Sequence, residues 1–199
     1  NKYESKRSYI LTKSGQKPRR VFDPKYCQHG IDCEDMVREW YEKEYNQKVH
    51  EVGVVEHPYC NFLGASPDGV CESGRLVEIK CPSGKARIKN EVGKMIPLAY
   101  LAQMQLQLAC CDMEECDFVE YVAPQFSLDG EPHYYVKTIK RDRVWFDESR
   151  PVLEEVFNII QQIREDPTKV SLLYKNEVTL DTPVKCDIVY TEEDLEEDY

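Results

Sequence analysis

No apolar run in this chain approaches the roughly 20 residues that a transmembrane helix requires, and the opening stretch NKYESKRSYI lacks the apolar core of a signal peptide. No membrane association is therefore expected. The chain starts with Asn instead of Met, which leaves cropping or processing of the amino end open. No CxxC pair occurs among the nine cysteines, at 27, 33, 60, 71, 81, 110, 111, 116 and 186, so the common spacing of a tetrahedral zinc site is missing. Their odd count and scattered spacing also argue against a disulfide framework. Buried free thiols are the expected state, with an iron–sulfur cluster at Cys110, Cys111 and Cys116 as the alternative. No internal repeat is visible.

What is present describes a soluble globular protein: 41% hydrophobic and 32% charged residues over 199 positions, enough for one domain with a real core. The net charge of −11 runs against binding a polyanion, but it is unevenly spread. Residues 1–26 hold eight Lys/Arg against two acids. Residues 79–95 hold five basic residues (Lys80, Lys85, Arg87, Lys89 and Lys94) against Glu91. Residues 187–199 carry seven acids and no base. Two basic segments are thus available to phosphates, or simply solvate the surface. Three divisions follow: a basic amino-terminal segment (1–28), a core (29–170), and a carboxy-terminal extension with an acidic tail (171–199).

Apolar spacing predicts a helix over 30–46, with Cys33, Met36, Val37, Trp40 and Tyr41 on its inner face. A strand is expected at 48–55, and RLVEIKCP alternates as a second strand that Pro82 ends. Residues 97–111 are apolar on nearly all sides, as in a buried helix. Strands near 116–123 and 133–140 follow, then a helix over 150–165 with Pro151 in its first turn. Residues 1–28 show no clear period. The order α-β-β-β-α-β-β-α predicts an α/β fold, a mixed sheet flanked by helices.

Glu78 and Lys80 sit two apart in a strand, so they share one face, about 7 Å apart along the chain. Val77, Ile79 and Cys81 take the other face and can pack on a helix. An isolated ExK is usually only a polar outer face, so the neighbours decide. Asp68 lies in the SPDG turn, and a hairpin would fold it back beside Glu78 and Lys80. Two carboxylates held close repel unless a cation lies between them, and oxygen ligands favour Mg²⁺ or Mn²⁺. Pro-Asp-Gly is also a favoured turn in its own right. Glu34 follows Gly30 as a GxxxE and can pair with Arg38 on a solvated face. On the helix over 97–111, Tyr100, Gln103 and Gln107 share a side, whereas Gln105 points the opposite way and must find its partner elsewhere.

GxxxE, SPDG, VEIKCP and YLAQMQ, in that order, resemble the λ exonuclease/YqaJ-like viral recombinase family, a branch of the PD-(D/E)xK nucleases, whose restriction-endonuclease-like core is a mixed sheet flanked by helices. The phrases FLGASPDG, EIKCP and QMQLQL, followed by an ECDF-like strand, are similar to versions carried by large eukaryotic DNA viruses. The resemblance spans residues 29–165.

The resemblance implies a metal-dependent deoxyribonuclease that degrades one strand of duplex DNA 5′→3′ in viral recombination, replication or repair. It implies two Mg²⁺ or Mn²⁺ ions, held by Asp68, Glu78, the backbone carbonyl of Ile79 and, at the second ion, Glu34. Lys80 would orient or deprotonate the attacking water. Gln103 would be the active-site glutamine, with Tyr100 lining the same cleft, and Gln105 matches a further recurring position. Double-stranded DNA ends, a single-strand annealing protein and a ring-shaped homotrimer are the implied partners, inside the cell and in the host cytoplasm or nucleus if the source is viral. The family's amino-terminal Arg with a Thr-Ala-Ser-like phrase is missing, leaving Arg19 or Arg20 to grip a 5′-phosphate. The basic run at Lys85, Arg87 and Lys89 would hold the DNA backbone. The alternatives are a structure-specific endonuclease on the same scaffold and a non-catalytic DNA-end-binding protein.

Overall fold

The computed structural model describes residues 5–19, 24–83, 93 and 95–174. Arg20, Lys85, Arg87, Lys89 and the acidic tail lie outside the described residues.

Helix α1 (Lys6–Lys13) is capped by Ser5, whose hydroxyl accepts from the Ser8 amide, and α2 (Pro24–Tyr45) follows. Proline suits the first position of α2 because its missing N–H would have no partner there. Short strands β1 (Val49–His50), β2 (Val55–Glu56), β3 (Gly64–Ala65) and β4 (Gly69–Cys71) lead into β5 (Leu76–Lys80). Helix α3 (Leu98–Cys111) then crosses to β6 (Glu115–Val122), which turns back through β7 (His133–Lys140) into α4 (Arg143–Glu165) and a 3₁₀ segment (Pro167–Tyr174).

The main sheet has the order β1-β4-β5-β6-β7, antiparallel throughout except for the β5–β6 pair, which is parallel. A parallel pair needs a crossover, and α3 is that crossover. Helix α2 covers one face, packing Cys33, Val37 and Tyr41 on Val77, Ile79, Val119 and Tyr121. Helix α3 covers the other, packing Leu101, Met104 and Leu108 on Leu76, Cys116 and Phe118. The mixed sheet flanked by helices matches expectation.

Several elements differ from the sequence reading. The strand expected over 48–55 pairs in the main sheet only at Val49 and His50, opposite Cys71 and Val70 of β4. A Cβ at Gly69 would lie 2.2 Å from Val49 Cγ1, so the close approach of β1 requires glycine there. Val55 and Glu56 pair instead with β3 in a separate two-stranded sheet. Met36 is 41% exposed, off the stripe that buries its helix. Helix α4 begins at Arg143, with Asp142 Oδ1 accepting the Trp145 amide at 2.9 Å, and Pro151 lies inside it rather than in its first turn. Proline usually costs a helix interior about 3 kcal/mol, and burial of Trp145 and Phe146 ahead of it favours continuing the helix. Residues without a sequence period form α1, whose Ile10 is fully buried against Ile160 and Ile163 of α4.

Candidate functional site

The two-residue period of β5 turns Glu78 and Lys80 towards α3. Because α3 lies over that face, the Glu78 carboxylate is fully buried. It is surrounded by donors. Lys80 Nζ forms an ion pair with Oε1, Gln103 Nε2 donates to Oε1 at 2.6 Å, and Gln107 Nε2 donates to Oε2 at 2.6 Å. Burial pushes the Glu78 pKa up; the Lys80 charge opposes that, and the nearby Asp68 carboxylate adds to it. For Lys80 burial is the largest single effect and acts downward, but the charge and hydrogen bond of Glu78, with Asp68 and Tyr100 adding to them, together hold the ammonium above its ordinary range. Lys80 Nζ also stands 5.4 Å from the centroid of the Tyr100 ring, within cation–π range.

The β4–β5 hairpin returns Asp68 to this cluster. Gly69 is opposite Val77, so Asp68 reaches past the strand and its Oδ2 accepts the Ile79 amide hydrogen at 2.7 Å. Glu34 approaches from α2. Burial, then the charge of Asp68, raises its pKa, while Arg38 at 3.3 Å opposes both. The i,i+4 pairing with Arg38 and the approach to Asp68 are therefore both present. Ile79 itself is buried among the residues beneath α2.

Gln105 points away, as the helical period requires. Its Nε2 donates to Lys140 O at 2.8 Å and its Oε1 accepts from the Asp142 amide at 2.7 Å, which ties the end of β7 to the start of α4. Arg19 is exposed. Gln107, to which the sequence assigns no role beyond its side of the helix, sits directly on Glu78. Its four-residue spacing from Gln103 was the available signal. Cys110 and Cys116 are buried thiols and Cys111 is partly buried.

Among the described residues no three His, Cys, Asp or Glu side chains form a ready-made metal cluster. Asp68 is engaged by Ile79, Glu78 by Lys80 and two amides, and Glu34 by Arg38. The donor set is nevertheless one of carboxylate oxygens, which suits a hard cation such as Mg²⁺ or Mn²⁺ better than zinc. The Gln107 Oε1 atom beside them is buried with no hydrogen-bond partner among the described residues, so an acceptor stands unused within the same cluster. Asp68, Glu78 and Glu34 suit such an ion by the chemistry of their oxygen donors.

The family model for the YqaJ-like viral recombinase domain matches residues 1–114. An uncharacterized protein, R354, of Acanthamoeba polyphaga mimivirus is 34% identical over 110 residues. That match takes in 48% of this chain and 20% of the relative, so the chain spans about a fifth of the viral protein's length. Among solved structures, the alkaline exonuclease LHK-Exo from Laribacter hongkongensis is 26% identical with a TM-score of 0.65, over 83% of this chain and 82% of that one. LHK-Exo in complex with dAMP superposes with a TM-score of 0.66 at the same coverage. A phage related exonuclease from Haemophilus somnus 129PT, 15% identical with a TM-score of 0.56 over 84% of this chain and 82% of that one, shares the fold.

Proposed function

Because the chain belongs to the YqaJ-like viral recombinase domain family and has the PD-(D/E)xK nuclease fold, we propose that it is a divalent-metal-dependent deoxyribonuclease that shortens one strand of duplex DNA from its 5′ end. The observation that carries this reading is the buried Glu78 carboxylate, held by Lys80, Gln103 and Gln107 with Asp68 at its side. A carboxylate buried this fully is costly without partners, and here an ammonium and two amides supply them. The alkaline exonuclease named among the similar structures supports the same chemistry.

In this reading Asp68, Glu78, the Ile79 carbonyl and Glu34 hold two Mg²⁺ or Mn²⁺ ions. When bound, the ions supply Lewis acidity and ease deprotonation of water. The chain's own residues do the rest. Lys80 orients the attacking water and steadies charge on the phosphate. Gln103 keeps the Glu78 carboxylate in place, and Tyr100 lines the wall beside the scissile strand. Water oxygen bonds to phosphorus, the bond to the 3′-oxygen breaks, and that oxygen takes up a proton. Each cycle releases a 5′-mononucleotide and leaves a new 5′-phosphate.

Arg19 or Arg20 is proposed to grip the terminal 5′-phosphate through paired hydrogen bonds. Lys85, Arg87 and Lys89 are proposed to track the backbone without regard to sequence. A 3′ overhang passed to a single-strand annealing protein, and assembly as a homotrimer, complete the proposal. Among the described residues no helix is long and apolar enough to cross a membrane.

The test is a linear duplex labelled at one 3′ end, digested with Mg²⁺ beside a covalently closed circle. Progressive shortening from the 5′ end with the circle intact is the expected result. Rapid linearisation of the circle would replace the exonuclease by an endonuclease on the same residues, and binding without cleavage would leave only an end-binding protein.

A further inference from the structure

Gln107 lies 2% exposed in the middle of α3. Its Nε2 reaches two acceptors on different segments: Glu78 Oε2 on β5 at 2.6 Å, and the backbone carbonyl of Ser66 at 3.4 Å. Ser66 opens the Ser-Pro-Asp-Gly turn that carries Asp68. One amide therefore touches both the strand that presents Glu78 and the turn that presents Asp68. The orientation of that amide is set by its neighbours, since exchanging nitrogen and oxygen would place an acceptor against a carboxylate and a carbonyl. The oxygen is then left over, and it is buried with no partner among the described residues. Buried acceptors in folded proteins nearly always find a donor, either from the protein or from ordered water.

Gln103 differs in kind. It donates to the other oxygen, Oε1, which Lys80 also holds. Oε2 has Gln107 as its side-chain donor among the described residues. Removing Gln107 would leave Oε2 without that donor and the carboxylate held from its Oε1 side alone, and would also remove the link from β5 to the Asp68 turn.

We propose that Gln107 is a positioning residue of the hydrolytic site: its amide N–H fixes the Glu78 carboxylate against the Asp68 turn, and its oxygen accepts a hydrogen from a water held beside Glu78. The inference rests on the metal-dependent nuclease reading. It adds a residue that never touches the DNA yet sets how well the carboxylates take a divalent ion. Partners of this kind typically change metal affinity or activity about 10–100-fold when removed.

The test compares the wild type with Gln107→Met, which keeps volume and loses both hydrogen-bonding functions, and Gln107→Asn, which keeps the amide but retracts it by one methylene. Thermal melting is measured against Mg²⁺ concentration without DNA, beside kcat and KM on linear duplex. Gln107→Met should fold in EDTA, need at least about tenfold more Mg²⁺ for half of its stabilisation, and lose kcat with KM for DNA nearly unchanged. Gln107→Asn should fall between the two. If Gln107→Met fails to fold, Gln107→Asn decides alone: a raised Mg²⁺ midpoint supports the role and a wild-type midpoint overturns it. Wild-type Mg²⁺ midpoint and kcat in a folded Gln107→Met overturn it as well. A wild type that neither responds to Mg²⁺ nor cuts DNA would overturn the nuclease reading itself, and this inference with it.

Discussion

Asp68 and Ile79 are joined by a hydrogen bond in which the Ile79 amide donates to Asp68 Oδ2 at 2.7 Å. The bond holds the turn carboxylate at the edge of the strand bearing Glu78 and Lys80, so three charged groups converge that the chain carries on two separate segments. Two of them are acids, and Asp68 raises the pKa of Glu78. A divalent ion would relieve that repulsion.

Mg²⁺ should accordingly stabilise the fold, by about 2.7 kcal/mol at a hundredfold excess over its dissociation constant. Asp68→Asn should lose most of that gain while folding normally in EDTA. Identical melting temperatures for the wild type in EDTA and in saturating Mg²⁺ would count heavily against an ion at this site.

Glu78→Gln and Lys80→Ala should each reduce cleavage by at least about a hundredfold. Duplex binding at low salt should survive, because phosphate contacts are spread over many basic residues. Lys80→Ala removes a charge close to the phosphate and should weaken binding slightly. Near wild-type cutting by both variants, measured on a labelled duplex, would refute the catalytic assignment.

Gln103 and Gln105 should separate cleanly. Gln105 is buried and satisfies two backbone groups at the β7–α4 junction, so Gln105→Leu should cost about 1–3 kcal/mol of stability. Its activity per folded molecule should stay near wild type. Gln103→Leu should instead lose activity with a smaller change in denaturation midpoint. The reverse pattern in urea melts and rate assays would mean that the two roles have been exchanged.

His57 should make stability depend on pH. Its Nδ1 accepts the amide hydrogens of Tyr59 and Cys60, and its ring stacks on Phe146. Burial, with Arg141 adding to it, holds its pKa below the ordinary value. An unfolded histidine takes up a proton near pH 6.5, whereas the folded one does so only at lower pH. The unfolded state therefore binds more protons in that window, and the stabilisation is full above about pH 6.5 and declines as pH falls below it. The wild-type melting temperature should fall more steeply between pH 7.5 and 5 than that of His57→Asn. Parallel curves would show that His57 contributes nothing to acid sensitivity.

Local periodicity alone places much of the site. A two-residue repeat puts Glu78 and Lys80 on one face of β5 and Val77 and Ile79 on the other. The 3.6-residue repeat of α3 sets Gln103 and Gln107 together and Gln105 apart, and the observed partners follow that division. Such relations depend only on how each element is built, so the order of residues suffices to read them. Contacts between distant segments do not follow from any period. Glu78 is fully buried because a crossover helix packs over its face. The strand expected over 48–55 leaves the main sheet after His50, and Val55 and Glu56 find β3 instead. Residues 6–13, polar and without a pattern, become a helix because Ile10 finds Ile160 and Ile163 on a helix at the far end of the chain. The donor on Glu78 Oε2 belongs to the same class: the helical repeat shows which side Gln107 faces, and only packing of α3 on β5 decides what it meets there.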